Sequence, residues 1–256
     1  MIEEWRLLEL TINDAYMNMA IDEAILTMIQ KGKSPNTIRF YRWNPSAVSI
    51  GYFQSLIDEV DVEACKKLNV DIVRRITGGG AVYHDYNGEV TYSVIASKEN
   101  PKIPEDILES YNILCNGIVL GLKKLGLTPA FKPINDIIVN GKKISGNAQT
   151  RKLNAILQHG TILIDVDVEK MFKVLKVSNE KIKDKMITSV KERVTSVKKE
   201  LGKEVDFNEV AEALKKGFEE ALNIKLSPGE LTEEEKALAE KLKIEKYSAK
   251  EWLYKR

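Results

Sequence analysis

Apolar residues recur at intervals of three or four positions in two long segments of the chain. In the first, over residues 17–28, this spacing predicts a helix that Asn13 or Asp14 can cap at its start. In the second, over residues 104–125, the same spacing predicts another helix, which Gly126 ends. Each helix has an apolar stripe, so each must pack against another part of the fold.

Runs of β-branched and aromatic residues elsewhere predict strands. The runs cover residues 38–43, 47–53, 70–76, 90–96 and 155–164. From residue 167 onward the sequence is helical in character and rich in charge, with a last pair of helices near residues 207–222 and 232–243. The strand-rich portion thus ends before the helical one begins, which predicts the α+β class with a helical C-terminal tail.

The dipeptide Asn-Gly at residues 140–141 is the strongest local signal for a tight hairpin with a type I′ turn. In the register that this turn sets, Asp136 faces Ser145. Opposed residues share a face and side chains alternate along a strand, so Asp136, Lys143 and Ser145 should project from one side. We therefore expect an acid, an ammonium and a hydroxyl to lie together.

The charge balance and the cysteine content narrow the class of protein. The 256 residues include 39 Lys and Arg against 38 Asp and Glu, so no global field attracts nucleic acid or an anionic membrane. The N-terminus lacks the features of a signal peptide, and no apolar run approaches the roughly 20 residues that span a bilayer. Cys65 and Cys115 cannot form a framework of several disulfides. We therefore expect a cytoplasmic protein with no nucleic-acid or membrane partner.

Residues 74–85, which read Arg-Arg-Ile-Thr-Gly-Gly-Gly-Ala-Val-Tyr-His-Asp, form the most informative stretch. Three consecutive glycines allow positive φ and let a ligand approach the backbone N–H groups. Arg74 and Arg75 offer fork-shaped donors for a phosphate or a carboxylate. The alternative is a flexible surface turn, but the apolar residues that follow are unlike those of a linker. The spacing matches neither a P-loop nor a dinucleotide fingerprint.

This stretch resembles the glycine-rich signature of the lipoate–protein ligase family, relatives of the biotin–protein ligases. Further stretches resemble the same family in the same order, so the likeness covers most of the chain. They are residues 133–137, 141–148, 159–163, 187–190 and 193–195. The resemblance, closest to the short archaeal type of ligase, implies a mixed β-sheet core with helices packed on it. It also implies a single catalytic domain over residues 1–256, with residues 206–256 as a helical C-terminal extension.

The resemblance also assigns roles to particular residues. Lys143 matches the family's essential lysine, whose ammonium contacts the activated carboxyl and the α-phosphate and can offset developing negative charge. Asn135 and Asp136 match the phosphate and metal neighbourhood, where one carboxylate suffices for Mg²⁺ held largely by phosphates. An ordinary ion pair between Lys143 and Asp136 is the alternative. The remaining positions implied for substrate and ATP binding are Arg75, Gly78, Gly79, Gly80, Ala81, Val82, His84, Ser145, Gly146, His159 and Thr161.

The two histidines, His84 and His159, have no metal-ligand spacing, and two ligands are too few for a zinc site. We expect both beside the ligand as hydrogen-bonding or wall groups. A packed histidine without a function is the alternative reading for each.

The activity that the resemblance implies is that of a lipoate–protein ligase. Such an enzyme activates lipoate with ATP and Mg²⁺ to lipoyl-AMP and then passes the lipoyl group to a lysine of a lipoyl-domain acceptor. Acceptors of this kind are the glycine-cleavage H protein and the E2 component of 2-oxoacid dehydrogenases. The sequence after residue 222 is too short for the accessory domain of single-chain ligases. We therefore expect adenylation to require a separate accessory subunit.

Two other functions compete with this expectation. An octanoyl or lipoyl transferase takes its acyl group from a carrier without ATP, and the similar cysteine-dependent transferases carry a nucleophilic thiol just ahead of the hairpin. Residues 131–136 of this sequence contain no cysteine, and Cys65 and Cys115 fall near apolar faces of predicted helices. A non-catalytic lipoyl-binding subunit is the second competitor, against which Lys143 and the glycine stretch both argue.

Overall fold

A computed structural model of the protein describes residues 2–152, 154–165, 167–176 and 183–256. The strands are β1 (Glu3–Asn13), β2 (Thr37–Trp43), β3 (Ala47–Ile50), β4 (Asp71–Arg74), β5 (Val82–His84), β6 (Glu89–Ser97), β7 (Pro129–Lys132), β8 (Asp136–Val139), β9 (Lys142–Lys152), β10 (Ala155–Leu163) and β11 (Ile224–Pro228). The helices are α1 (Ala15–Gln30), α2 (Leu56–Glu59), α3 (Val62–Lys67), α4 (Ile107–Lys124), α5 (Val168–Val174), α6 (Lys183–Arg193), α7 (Val197–Leu201), α8 (Phe207–Leu222), α9 (Glu233–Leu242) and α10 (Lys250–Leu253), with a π-helical segment at Lys243–Tyr247.

The strands of the described residues form one large sheet and one small sheet. The large sheet has the order β11-β1-β2-β6-β10-β9-β8-β7, and the small sheet has the order β4-β3-β5. β1 runs parallel to both β2 and β11, whereas the remaining neighbours in the large sheet are antiparallel. The sheet is therefore mixed, and the predicted α+β class is confirmed.

Helices cover both faces of the large sheet. On one face, α4 and α8 bury an apolar cluster that includes Leu114, Ile118 and Phe218 against the sheet. These two helices approach so closely that a Cβ on Gly217 would lie 2.2 Å from the carbonyl oxygen of Gly117. On the other face, α1 and α9 pack against a second apolar cluster. Side chains alternate along β6, so Val90, Tyr92, Val94 and Ala96 lie in the first cluster and Ile95 lies in the second. Glu89 and Thr91, on the same face as Ile95, line the site.

The two long helices lie where the apolar spacing predicts them. The side chain of Asp14 accepts from the backbone N–H of Met17 and caps α1. Asp106 caps α4, so that helix begins at Ile107 and not near residue 104. Their side-chain oxygens satisfy N–H groups that a helix start otherwise leaves unpaired.

The tail differs from the prediction in one respect. α8 and α9 confirm the last pair of helices, but β11 lies between them and pairs in parallel with β1 at the edge of the large sheet. The short run of β11 alternates a buried and an exposed residue, which is too weak a signal beside Pro228 to predict a strand. Residues 177–182, within the stretch predicted to be helical, lie outside the described residues.

No helix among the described residues is both long and apolar enough to cross a membrane. The cytoplasmic location expected from the sequence stays a prediction.

Candidate active site

A cavity of about 430 Å³ lies where the small sheet meets β6, β9 and β10 of the large sheet. Most of the residues predicted for the site line this cavity, although they come from separate parts of the chain. They are Arg75, Gly79, Gly80, Ala81, Val82, His84, Asn135, Lys143, Gly146, His159 and Thr161. Its apolar wall contains further side chains that the sequence did not single out. They are Met19, Trp43, Leu163, Met171, Val190 and Val194.

Three of the predicted residues, Gly78, Asp136 and Ser145, do not line the cavity. Ser145 is displaced by the hairpin itself, which has an irregular register. Ile138 faces Lys143 as predicted, but Asp136 faces Gly146 and Ser145 faces the buried Ile137. The extra residue in β9 turns Ser145 to the opposite face, because one added residue reverses the alternation of side chains. Of the three side chains predicted to lie together, only Lys143 and Asp136 do so. The buried Ser145 hydroxyl has no hydrogen-bond partner among the residues that the structure describes.

The pair that remains joins Lys143 and Asp136. Lys143 Nζ lies 2.7 Å from Asp136 Oδ1, with 43% and 32% of the two side chains exposed. The lysine side chain lies over Gly146, where a Cβ would stand 2.8 Å from Nζ. The backbone N–H of Thr195 donates to the carbonyl of Lys143 at 2.9 Å and fixes this part of β9. Because the pair is partly exposed, its contribution to stability is about 0–1 kcal/mol.

Asn135 is held by a partner that the sequence did not identify. Asn135 and Asn147 each donate a side-chain N–H to the backbone carbonyl of the other, and the Asn147 bond is 2.8 Å long. The hydroxyl of Tyr92 donates to Asn147 Oδ1 at 2.7 Å. Gly160 makes room for that amide, because a Cβ there would lie 2.0 Å from Asn147 Oδ1. The turn before the β8–β9 hairpin is thus fixed to the centre of the large sheet.

The glycine loop, residues 78–81, is organised from beneath by Arg75. The guanidinium donates to the carbonyl oxygens of Gly78 and Gly80, to the carbonyl and hydroxyl oxygens of Ser49, and to the hydroxyl of Thr77. An arginine has five N–H donors, and these contacts use all of them. All five donors of Arg75 therefore bind groups of the fold itself, and a role for Arg75 in binding a phosphate or carboxylate stays a prediction.

Arg74 is also occupied by backbone carbonyls. It donates to Gly51, Tyr52 and Gln54 and, at the other end of the chain, to Trp252 and Leu253. The indole N–H of Trp252 returns a hydrogen bond to the carbonyl of Arg74. Arg74 therefore holds the C-terminal segment on the small sheet. Burial lowers the pKa of Arg75 to about 10, which still leaves it charged at neutral pH.

The three glycines of the loop have different requirements. Gly79 has φ +95, the left-handed region that favours glycine, whereas Cβ atoms on Gly78 and Gly80 would meet nothing within 4 Å. Gly51, at the end of β3, was not singled out by its sequence. A Cβ on Gly51 would stand 2.1 Å from the carbonyl oxygen of Gly79. Close packing of β3 on the loop therefore depends on Gly51 as well as on the triple glycine.

Both histidines line the cavity and have both ring nitrogens paired. His84 Nε2 lies 2.8 Å from Ser49 Oγ, and its Nδ1 lies 2.6 Å from Glu89 Oε1. The ring stacks on Trp43 with centroids 4.0 Å apart. Ser49, Glu89 and Trp43 line the same cavity, although the sequence drew attention only to His84. The signal that sequence reasoning lacked is spatial, because these residues belong to four different segments.

His159 belongs to a second chain of hydrogen bonds. Its Nε2 lies 2.7 Å from Thr77 Oγ1, and its Nδ1 lies 3.2 Å from Asp22 Oδ2. Arg39 donates to the other oxygen of Asp22 at 2.8 Å. Burial lowers the pKa of His159, against the opposing pull of Asp22. Burial would raise the pKa of Asp22, but the hydrogen bond from His159 and the charge of Arg39 leave that pKa below its ordinary value.

Neither thiol reaches the site. Cys65 lies in α3 and Cys115 in α4, both buried in apolar clusters, and neither lines the cavity. Burial raises the pKa of each thiol to about 12. A thiol with that pKa is almost entirely protonated at neutral pH and is a poor nucleophile. Within the described residues no group of three or more His, Cys, Asp or Glu side chains could hold a metal ion.

Comparison with known proteins identifies the family. The sequence profile of the lipoyl protein ligase A/B catalytic domain matches residues 14–219. Proteins named octanoyltransferase LipM from Brevibacillus brevis and Kyrpidia tusciae are 38% and 41% identical, each match covering 100% of both chains. The protein of that name from Bacillus subtilis is 38% identical over 99% of both chains.

Two solved structures have the same fold. One is the bi-partite lipoate protein ligase of an archaeal lipoylation system from Thermoplasma acidophilum, with a TM-score of 0.90 and 38% identity over 98% of this chain and 96% of that one. The other is a lipoate-protein ligase A bound with ATP, with a TM-score of 0.84 and 35% identity over 98% of both chains. The predicted mixed sheet with packed helices is thereby confirmed as the fold of lipoate ligases.

The names of the full-length relatives correct the expected activity. We expected an ATP-dependent ligase that forms an acyl-adenylate with ATP and Mg²⁺, but the relatives with 36–41% identity are octanoyltransferases. A transferase moves an acyl group that is already activated and forms no adenylate, so the ligase, ATP and Mg²⁺ predictions are wrong. The expected accessory subunit for adenylation loses its basis with them. The resemblance itself is confirmed, and the chain belongs to the lipoyl protein ligase A/B catalytic domain family.

Proposed function

We propose that this chain transfers an octanoyl or lipoyl-type acyl group, without ATP, from an activated carrier to a lysine amine of a lipoyl-domain protein. The observation that carries the proposal is the position of Lys143. Lys143 lines a cavity whose wall contains many apolar side chains, and it lies in a bulged hairpin. Full-length relatives named as octanoyltransferases support the same class of reaction.

The cavity suits an acyl chain of medium length. Its volume of about 430 Å³ falls within the usual range of small-molecule sites. Val82, Leu163 and Met171 are among the apolar residues that would surround the chain. Each buried methylene contributes about 0.8 kcal/mol, so chain length is a direct determinant of affinity.

Lys143 suits the charge that develops during acyl transfer. When an amine or hydroxyl attacks a carbonyl carbon, the carbonyl oxygen gains negative charge, which a fixed ammonium stabilises. Asp136, which does not itself line the cavity, forms the ion pair that holds Nζ of Lys143 in place. Gly79, Gly80 and Ala81 of the glycine loop line the same cavity.

We also propose that residues 1–256 act as one catalytic unit with residues 206–256 as its C-terminal extension. Two sets of contacts support this view. β11 pairs with β1, and Arg74 donates hydrogen bonds to the backbone carbonyls of Trp252 and Leu253. The acceptor class is that of lipoyl domains, for which the glycine-cleavage H protein and the E2 of 2-oxoacid dehydrogenases are the candidates.

The test is a transfer assay with the purified chain, an octanoyl thioester of acyl carrier protein and an apo lipoyl domain, without nucleotide. We expect the intact mass of the lipoyl domain to rise by one octanoyl group, and the Lys143→Ala variant to lose most of this transfer. A second reaction contains free octanoate, ATP and Mg²⁺ in place of the thioester. Acylation only in that second reaction, or in neither, would contradict the proposal.

A further inference from the structure

We infer that Ser49 is the nucleophile that carries the acyl group between donor and acceptor, with His84 as its base and Glu89 as the positioning acid. This inference rests on the proposed function. Ser49 Oγ lies 2.8 Å from His84 Nε2, and His84 Nδ1 lies 2.6 Å from Glu89 Oε1. A hydroxyl, an imidazole and a carboxylate in this order are the arrangement of a serine acyl transferase or hydrolase.

The site needs a nucleophile of this kind if transfer proceeds through an acyl-enzyme. No cysteine occurs among the described residues that line the cavity, and both thiols are buried elsewhere. Ser49 is only 2% exposed, but it lines the cavity together with His84 and Glu89. Ser49 is therefore shielded from bulk water and belongs to the wall of the space that would hold the acyl chain.

The direction of the protons follows from the groups at the two ends of the network. Arg75 can only donate, and its Nη1 lies 3.1 Å from Ser49 Oγ, so the serine oxygen accepts there. The single hydroxyl hydrogen of Ser49 is then left for His84 Nε2. An accepting Nε2 requires the ring hydrogen on Nδ1, which the carboxylate of Glu89 accepts. This is the tautomer in which an imidazole acts as a base toward the serine.

The hydrogen-bond roles around the Glu89 carboxylate are also set by a group that can only donate. The indole N–H of Trp43 can only donate, and it donates to Thr91 Oγ1 at 2.7 Å. Thr91 in turn donates its hydroxyl hydrogen to Glu89 Oε1 at 2.8 Å. Glu89 is 1% exposed, and Trp43 stacks on the imidazole of His84. The base is thus oriented before any substrate binds, as preorganised catalysis requires.

A second hydrogen-bonded series also contains a hydroxyl, an imidazole and a carboxylate in that order, and it can be compared with the first. Arg75 donates to Thr77, which pairs with His159, which pairs with Asp22. Thr77 is fully buried and does not line the cavity, so its hydroxyl cannot meet a substrate there. Arg75 donates to the hydroxyl residue of both series. Ser49 lines the cavity, whereas Thr77 does not.

Acyl transfer through Ser49 takes two chemical steps, formation of the acyl-enzyme and its aminolysis. In the first, Ser49 Oγ attacks the thioester carbonyl carbon, His84 takes the hydroxyl proton, the C–S bond breaks, and the leaving thiolate receives that proton. In the second, the acceptor's neutral lysine amine attacks the ester carbonyl, and the amine's proton passes through His84 to Ser49 Oγ as the C–O bond breaks. Lys143 stabilises the oxyanion in both steps.

The experiment traps the acyl-enzyme. The full chain is mixed with the octanoyl thioester of acyl carrier protein without acceptor, quenched in acid and mapped by mass spectrometry. We expect one octanoyl group on the peptide that contains Ser49, and its loss when apo lipoyl domain is added. Ser49→Ala should show neither the adduct nor transfer, and His84→Gln should slow adduct formation by roughly 10²–10⁴-fold.

Two further variants separate chemistry from folding. Ser49→Cys should form an adduct that neutral hydroxylamine removes, because a thioester is more labile than an oxygen ester. Ser97→Ala, in the large sheet at the opposite end of β6 from Glu89, is the control serine and should behave like the parent. Thermal unfolding of each variant shows whether the fold persists.

The outcomes distinguish this inference from the proposed function. Transfer at the parental rate by Ser49→Ala, or an adduct on any other residue, would overturn the serine nucleophile and leave the transferase proposal intact. Absence of both adduct and transfer in the parent chain would overturn both.

Discussion

Gly51 and Gly79 lie so close together that a Cβ on Gly51 would stand 2.1 Å from the carbonyl oxygen of Gly79. Gly51 directly follows β3, and Gly79 is the middle one of the three consecutive glycines. The loop therefore packs on the small sheet through direct backbone contact. Its shape depends on a glycine outside the glycine-rich stretch.

Gly51→Ala should force the loop away from β3. We expect a loss of roughly 1–3 kcal/mol in the free energy of unfolding, as for overpacked interiors, together with a large loss of transfer activity. Gly78→Ala is the matched control, because its Cβ would meet nothing within 4 Å. Urea unfolding of both variants measures the difference. Equal stability of the two variants would show that the contact is not limiting.

The two adjacent arginines should have separable effects. Arg75→Lys loses the fork that binds Gly78 and Gly80, so we expect faster amide hydrogen exchange in the glycine loop. Arg74→Lys loses the contacts with Trp252 and Leu253, so we expect faster exchange at the C-terminus. Exchange that rises at both places in both variants would contradict independent roles.

Lys143→Ala should affect activity far more than stability. Removal of a preorganised positive charge should reduce the transfer rate by about 10²–10³-fold, as for the loss of one oxyanion donor. The free energy of unfolding should change by no more than about 1 kcal/mol, since the pair with Asp136 is partly exposed. Lys142→Ala, the neighbour in the hairpin, is the control. Equal activity of the two variants would support a purely structural pair.

Acid should destabilise the fold through His159 and Asp22. Both folded-state pKa values lie below the ordinary values, so the unfolded chain binds more protons and stability rises with pH. For His159 the stabilisation is complete above its unfolded pKa of about 6.5. It is lost as the pH falls through the lower folded pKa.

Urea unfolding between roughly pH 7.5 and pH 5 measures this loss, because the window begins above the ordinary histidine pKa. His159→Asn removes the titrating imidazole and should flatten the dependence in that window. An unchanged slope in the variant would assign the pH dependence to other groups.

Local patterns in the sequence were sufficient for part of the fold. Helical spacing and capping aspartates located α1 and α4, because capping and amphipathic periodicity act within a few residues of each other. The Asn-Gly pair located the hairpin for the same reason. The register beyond the turn was wrong by one residue, since a bulge depends on what each face packs against.

The family, the glycine loop and the hairpin lysine Lys143 were recognisable from the sequence, because each belongs to a contiguous motif. The groups that Arg75 binds and the hydroxyl that lies beside His84 became known only from the folded structure. Ser49 is 35 residues before His84 in the sequence, and pairing of β3 with β5 brings it to the imidazole. Glu89 begins β6 in the other sheet, and the meeting of the two sheets places its carboxylate beside the same ring. Hydrogen-bond geometry is set by that packing, and no spacing along the chain encodes it.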